Sequence, residues 1–216
     1  QVDAAGNIGF PPEEGLQYEA GMKFQSADKK LRATAAVYEI FKTNVLVNTG
    51  QRHPTLGLNI ARLDGEQTSK GAEMEFEWFP VKHFQIQAGG AYTDAYVSKS
   101  STASLVGKSL VSAPHWSASF WSRYNFPKGV LKGAGVGLGA VYVDNRYGGD
   151  AATTTYIKLP GYTRIDTAFY YKWRKYDFAL NIQNIFDRKY ISAMSTSFQI
   201  YPGDPRKITL SANYTF

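Results

Sequence analysis

Hydrophobic and polar residues alternate with a period of two along most of this chain. In 207–216, Ile208, Leu210, Ala212, Tyr214 and Phe216 fall on one side, and Lys207, Thr209, Ser211, Asn213 and Thr215 on the other. A strand sends successive side chains to opposite faces, so such a segment is apolar on one face and polar on the other. The pattern recurs at 16–24, where Leu16, Tyr18, Ala20, Met22 and Phe24 oppose Gln17, Glu19, Gly21 and Lys23. It recurs at 72–78, where Ala72, Met74, Phe76 and Trp78 alternate with Glu73, Glu75 and Glu77, and again at 176–182. Breaking the chain at its turn signals predicts nine strands, near 15–25, 31–43, 58–79, 83–98, 115–126, 131–147, 158–172, 176–187 and 206–216. The second has a blurred phase, through Ala33, Ala35, Ala36 and Val37. The third is too long for an unbroken strand and predicts a bulge near Gly65 or Gly71. No segment has a helical period, so the chain reads as all-β.

The connections between these strands alternate in length: tight at S-A-D-K-K, P-V-K, P-K-G-V and W-R-K, long at 44–57, 99–114, 148–157 and 188–205. In an up-and-down meander every second connection lies at the same end, so all the tight turns gather at one end and all the long loops at the other. Transmembrane barrels have that asymmetry, with short periplasmic turns and long outer loops. Three features turn the apolar face toward lipid rather than a soluble interior. Several predicted strands reach 11 residues, and roughly 9–11 tilted residues cross a bilayer. Aromatics gather near strand ends (Trp78 and Phe79; Tyr124 and Phe126; Tyr170, Tyr171 and Trp173; Tyr214 and Phe216), as interfacial girdles require. The polar face mixes both charge signs, which suits a hydrated lumen and equally a soluble outer surface.

Composition narrows the classes further. With 15 Tyr, 13 Phe and 4 Trp among 216 residues the chain is too rich in aromatics for disorder. Its mean hydropathy is −0.32 and it has no apolar run near the roughly 18 residues that a membrane helix needs. The absence of Cys removes disulfides, thiolate metal sites and a cysteine nucleophile. The three His (His53, His83, His115) have no metal-ligand spacing. The formal charge is +6, with Lys and Arg spread along the chain, so no nucleic-acid partner is indicated. The first residue is Gln, without a start Met or signal peptide, as expected of a mature chain or a fragment.

Five stretches resemble the C-terminal half of TonB-dependent outer-membrane receptors, the siderophore-receptor branch in particular. They are P-P-E-E-G-L-Q-Y-E-A-G-M-K-F (11–24), D-G-E-Q-T-S-K-G-A-E-M-E-F-E-W (64–78), L-V-G-K-S-L-V-S-A-P-H-W-S-A-S-F-W (105–121), L-N-I-Q-N-I-F-D-R-K-Y (180–190) and the ending Y-P-G-D-P-R-K-I-T-L-S-A-N-Y-T-F. They follow the family's order and span nearly the whole chain; overall similarity is greatest to ferric-hydroxamate-type receptors. The resemblance implies a transmembrane β-barrel in the outer membrane of a Gram-negative bacterium, with no enzymatic chemistry and no resident cofactor. Its transported ligand would be a ferric siderophore, and its partners the TonB energy-transduction complex, outer-membrane lipid and lipopolysaccharide, and the barrel assembly machinery. Such receptors carry a plug domain inside a barrel of about 22 strands. Here no plug is visible and nine strands are an odd number, so residues 1–216 are expected to be the C-terminal portion of a larger barrel. A receptor for another large nutrient, such as a glycan or cobalamin, is the alternative within the family.

Several residues admit a chemical and a structural reading. Glu73, Glu75 and Glu77 share one strand face at roughly 6.5 to 7 Å spacing, and carboxylates about 5–9.5 Å apart can run glycoside hydrolysis. A soluble β-sandwich carbohydrate enzyme is thus a competing class; the structural reading is a lumen face paired with Arg and Lys. G-A-G-V-G-L-G (133–139) continues as strand rather than helix, so it is no dinucleotide loop, and its Gly side is expected to leave the lumen face bare. Asn184, Asp187 and Tyr190 fit a strand-end motif in which Asp187 accepts backbone N–H groups. The resemblance makes Arg206 structural, pairing in the upper lumen, and Phe216 an ending read by the assembly machinery. Candidate ligand contacts lie in the long loops: Arg52 and His53; Tyr147, Asp150 and Tyr156; and Tyr190, Phe198 and Tyr201, since bulky chelates are gripped by aromatic and hydrogen-bonding groups. Exposed loop decoration is the competing reading for each.

Overall fold

Alternation of period two becomes one antiparallel sheet in which nine strands lie in chain order. The structure is a computed structural model and describes residues 1–150, 155–196 and 199–216. β1 (Glu14–Gln25), β2 (Leu31–Arg52), β3 (Asn59–Trp78), β4 (Phe84–Lys99), β5 (Trp116–Asn125) and β6 (Ala134–Val143) come first. A hairpin of β7 (Arg146–Asp150) and β8 (Thr155–Leu159) precedes β9 (Tyr162–Trp173) and β10 (Tyr176–Gln183). A second hairpin, β11 (Ile191–Thr196) and β12 (Gln199–Pro202), precedes β13 (Lys207–Tyr214). The main sheet runs β1-β2-β3-β4-β5-β6-β9-β10-β13, and β7–β8 and β11–β12 form separate two-stranded sheets. Each of the nine predicted strands is thus one member of the meander. Among the described residues the only helical turn is a 3-10 turn at Ala103–Leu105.

The structure redraws the long connections. Residues 44–52, expected as loop, continue β2 against β3 through register shifts at Lys42/Val45 and Val45/Val47. The bulge sits at Gly65, opposite Val45: a Cβ there would come within 2.7 Å of Val47 Cγ2 and 2.8 Å of the Val45 carbonyl oxygen. Gly71, the other candidate, stays in regular register. Within the loops predicted at 148–157 and 188–205, the described residues form the two small hairpins.

Ladder partners share a face, so the register assigns the sides. Met22, Ala35, Met74, Gly90, Ala118 and Tyr142 form one rung of the apolar face. Among the described residues nothing covers that face: Met74 is 53% exposed, Leu210 73% and Tyr214 46%. The buried hydrophobic residues are Val2, Ile60, Ala61, Ala95, Val97, Leu105, Leu159, Met194 and Ala168, all but the last at the long-loop end. A sandwich would hide the apolar face against a second sheet; this single sheet leaves it open.

The aromatic residues measure what covers it. Near the short turns they follow an oblique line, from Trp78 on β3 through Tyr124 on β5 to Tyr176 and Tyr214 on β10 and β13. The rung that begins at Trp78 reaches β13 at Ile208, six residues from Tyr214, after six strand-to-strand steps. One residue per strand is about 3.3 Å of rise for about 4.8 Å of sheet, which is a tilt of about 35°. Near the long loops the same slope links Tyr92 and Trp116, whose ring centroids are 4.9 Å apart, to Tyr142 one rung lower on β6. Phe84 to Tyr92 and Trp116 to Tyr124 are eight residues each, about 27 Å along the strand and about 22 Å along the normal at that tilt. The apolar belt of a transmembrane barrel is about 25 Å tall with a strand tilt of about 35–45°. Beyond the upper line the same face turns polar, where Glu39 pairs with Lys70 and Lys70 with Asp94.

The opposite face is the polar interior, and there the glycine strand is not bare. Trp121 lies over it: a Cβ on Gly137 would come within 2.5 Å of Trp121 Cζ2, and one on Gly139 would collide with the same ring. Gly135 is likewise closed by Asn125 and Tyr170, and Arg123 stacks on Tyr170 at 3.7 Å. The glycines make room for an indole lying flat on the wall. Gly139→Val should therefore overpack the wall by about 1–3 kcal/mol and lower the heat-modification midpoint of the intact barrel. Adding Trp121→Ala should recover most of that loss, and a Gly139→Val barrel that melts like the parent would contradict the packing.

Candidate functional site

The long connections build a small apolar and polar assembly on top of the wall. The N-terminal segment bridges β3, with Val2 fully buried, its N–H donating to the Asn59 carbonyl (3.0 Å) and its carbonyl accepting from Ala61 N–H (2.8 Å). Asp3 closes this segment's turn, and its bonds from the Asn7 side chain and backbone hold its carboxyl below the usual range. Residues 100–115 fold back along β4, where Gly107 N–H donates to the Val97 carbonyl and Leu110 N–H to that of Ala95, both 2.8 Å. The same loop reaches the next hairpin through Ser112 N–H and the Tyr147 carbonyl (2.7 Å).

The β7–β8 and β11–β12 hairpins pack together through β7 and β11, with Leu159 and Met194 buried beside Gly148. Arg146 ties this junction. Its guanidinium is buried, with Nη2 donating to the carbonyls of Ile191 (2.7 Å) and Ser192 (2.6 Å), and its Cζ is 5.6 Å from the centre of the Tyr162 ring. Tyr162 stacks on Tyr190 at 4.1 Å. No carboxylate pairs with Arg146 among the described residues, and Nη1 has no partner. Carbonyl dipoles and aromatic faces therefore supply its compensation, without which a buried cation is costly. Sequence reasoning passed over Arg146 because its acceptors are main-chain groups 45 and 46 residues away, which leave no side-chain signature.

The expected ligand residues divide between two places. Tyr147 and Tyr156 meet edge to face at 5.9 Å on the β7–β8 hairpin, where burial pushes the Tyr156 phenol up. Tyr201 is half exposed on β12, part of the hairpin packed against β7. Arg52 and His53 sit apart, at the tip of the β2–β3 hairpin. There His53 Nδ1 accepts from the N–H groups of Thr55 (3.4 Å) and Leu56 (3.3 Å) and so shapes the turn. Phe198 lies outside the described residues, as does the side chain of Asp150.

The strand-end residues form a knot where β10 stops. Asn184 is buried with φ 51; its Nδ2 donates to the carbonyls of Arg188 and Asp204 (3.0 Å each), and its Oδ1 accepts from Arg188 N–H (2.8 Å). Asp187 Oδ1 accepts the Arg206 backbone N–H at 2.8 Å. The Arg206 guanidinium donates to the Ile185 carbonyl (3.4 Å), and among the described residues it makes no ion pair. Tyr190 covers Gly203 as well as Tyr162. Phe216 is fully exposed, its ring 5.2 Å from that of Tyr214.

On the inner face, Glu77 pairs with Arg32 (3.5 Å) and accepts from Gln85 Nε2 (2.8 Å) and Gln87 Nε2 (3.3 Å). Among the described residues Glu73 and Glu75 have no ion pair or hydrogen bond, contrary to the expected Arg and Lys partners on the same face. A hollow of about 570 Å³ runs along this wall from Arg32 and Glu75 past Trp121 to Asp166. Arg164 and Asp166 pair across its far edge at 2.9 Å.

Known proteins share this architecture. A family model described as TonB dependent receptor-like, beta-barrel matches residues 1–185. The metal-pseudopaline receptor CntO of Pseudomonas aeruginosa is 32% identical over 220 residues, covering 100% of this chain and 29% of that protein. The ferrichrome outer membrane transporter/phage receptor of Escherichia coli is 29% identical, over 100% of this chain and 28% of its own length. Among solved structures, the siderophore receptor PiuA of Acinetobacter baumannii superposes with a TM-score of 0.78 at 29% identity, covering 98% of this chain and 30% of that one. The ferric-catecholate import receptor Fiu of E. coli, closed form, gives 0.77 at 27% identity, covering 100% and 29%. The chain spans less than a third of the length of these relatives.

The Arg146 junction can be tested by itself. Each bond from a charged donor contributes about 1.5–3 kcal/mol, so Arg146→Ala should speed amide exchange in 191–196 at least about tenfold. Exchange in 207–214 should stay unchanged. Equal protection of 191–196 in parent and variant would contradict the clamp.

Proposed function

The chain belongs to the TonB-dependent receptors, and from that premise we propose that it forms the C-terminal part of the barrel wall of an outer-membrane receptor importing a ferric siderophore. Members of this family are transport receptors rather than enzymes. The observation that carries the reading is the uncovered apolar face between two aromatic lines with a common tilt, because it suits acyl chains on one side and water on the other. Both outer strands of the sheet, β1 and β13, present an unpaired edge. Lipid cannot satisfy those N–H and C=O groups, so further strands of a larger receptor would complete the wall. The relatives' greater length supports the same view. A plug and the segment that engages the TonB energy complex would lie elsewhere in that receptor.

The relatives are receptors for metal-pseudopaline, ferrichrome, ferrioxamine B and catecholates, and this favours a metal chelate as cargo. In the proposed mechanism the chelate meets the long-loop end first. There the Tyr147–Tyr156 pair and Tyr201 offer aromatic faces and hydroxyl groups, which suit a bulky ligand whose iron is already wrapped by its own oxygen donors. The iron is cargo, held by the siderophore. Arg146 holds the two tyrosine-bearing hairpins together and so sets their spacing. Below them the polar wall with Glu73, Glu75 and Glu77 faces the hydrated interior through which cargo moves when the plug is displaced. The wall itself makes and breaks no covalent bond.

Binding of ferric hydroxamates and catecholates to the intact receptor tests the reading. Tyr156→Ala and Tyr201→Ala should each weaken the preferred chelate by about tenfold, or about 1.4 kcal/mol. Unaltered affinity in both would remove these residues, and binding of a glycan or cobalamin in place of any chelate would contradict the cargo. Deleting Phe216 should lower the amount of heat-modifiable receptor in the outer membrane, through loss of the aromatic ending; unchanged levels would count against an assembly role.

A further inference from the structure

Charge is distributed along this chain by connection type. The first short turn, 26–30, carries Lys29 and Lys30; the second, 79–83, carries Lys82. The third, 126–133, carries Lys128 and Lys132, and the fourth, 174–175, is Arg174 and Lys175. Asp28 is the single acid among them, so these turns hold a formal +6, equal to that of the whole chain. Acids and bases cancel across the strands of the main sheet, and they cancel again across the N-terminal segment and the four long connections. All seven basic side chains of the turns are exposed. Among the described residues, Lys30 pairs with Asp28 (3.3 Å), whereas Lys29, Lys82, Lys128 and Lys132 make no ion pair.

These cations stand just past the lower aromatic line. Arg174 lies over Trp173 at 5.4 Å and Lys175 over Tyr214 at 5.9 Å. Apolar tips sit among them with nothing to cover them: Val130 is fully exposed, and Val81 and Leu131 are about half exposed. Aromatic rings at the boundary, ammonium and guanidinium groups beyond it and small apolar tips between them match the layering of a phospholipid leaflet.

We propose that the short-turn rim is a docking surface for the anionic phospholipid headgroups of the leaflet it meets. This rests on the membrane-wall reading above. Exposed basic groups attract a negatively charged membrane surface over about a Debye length, roughly 8 Å at physiological salt, and their contributions accumulate along a cluster. The sheet brings four turns from four separate hairpins to one end, so the rim engages several headgroups at once. The opposite end, whose long connections and N-terminal segment together carry no net charge, has no such preference.

The intact receptor, purified from the membrane fraction and placed in vesicles of phosphatidylethanolamine with and without phosphatidylglycerol, provides the test. Phosphatidylglycerol retained after detergent extraction is counted for three proteins. They are the parent, a K128Q/K132Q/R174Q/K175Q variant, and a K128R/K132R/K175R control that keeps the charge. Parent and control should retain the lipid at low salt and release it at about 0.5 M salt. The neutralised variant should retain less than about a third as much. Equal retention by all three overturns the proposal, as does cross-linking of these turns to an acidic protein while lipid retention stays equal. A normal heat-modifiable barrel with unchanged lipid retention defeats this inference alone. Failure of the parent to form a barrel in the membrane fraction defeats the membrane reading and this inference with it.

Discussion

A bilayer core offers no water to a peptide group, so every N–H and C=O that crosses it must find its partner within the protein. That constraint organises this chain. It explains why nine strands lie in one continuous ladder and why no α-helix interrupts it among the described residues, and it underlies the proposal that further strands complete the two open edges. It also explains where the irregular backbone sits. The bulge at Gly65, the knot around Asn184 and the two small hairpins lie at or beyond the upper aromatic line, where water or local side chains can serve unpaired groups.

Division of labour between wall and rim follows from the same solvent boundary. Within the belt, side chains are sorted by face: Met74, Leu210 and Tyr214 on the apolar side, Glu75, Trp121 and Asp166 on the polar one. Above the belt the chain has water on all sides and must build a conventional core, which it does with Val2, Ile60, Leu105, Leu159 and Met194. The candidate ligand tyrosines stand on that upper core, so their geometry depends on loop packing and on Arg146. Below the belt the turns are short and basic, with no core of their own.

Strand faces and tight turns were legible in the sequence because both are local: a period of two needs only neighbouring residues, and turns such as P-K-G-V announce themselves within four. The order of strands followed, since a meander with short turns has little freedom. What stayed hidden depended on partners distant in the chain. The glycines at 137 and 139 read as an empty face because the indole that fills it belongs to Trp121 on the neighbouring strand. Residues 44–52 read as loop because Asn44 and Gly50 are turn residues, and both do take positive φ, yet the ladder to β3 resumes around them. Glu73 and Glu75 read as paired because basic residues share their face, but pairing needs a distance that period cannot supply. In the upper hairpins, Tyr147 and Tyr156 were visible as aromatics; their junction through Arg146 was not.

Which face meets lipid is the claim on which the rest stands, and the chain's lack of Cys makes it directly measurable. Single cysteines at Met74, Leu210, Glu75 and Ser211 in the intact receptor can be challenged with a membrane-impermeant thiol reagent, then labelled and quenched by nitroxide lipids. The account predicts that positions 74 and 210 resist the aqueous reagent and are quenched by lipid, while 75 and 211 react with it and are not quenched. The reverse pattern, with 74 and 210 shielded from lipid inside the protein, would contradict it.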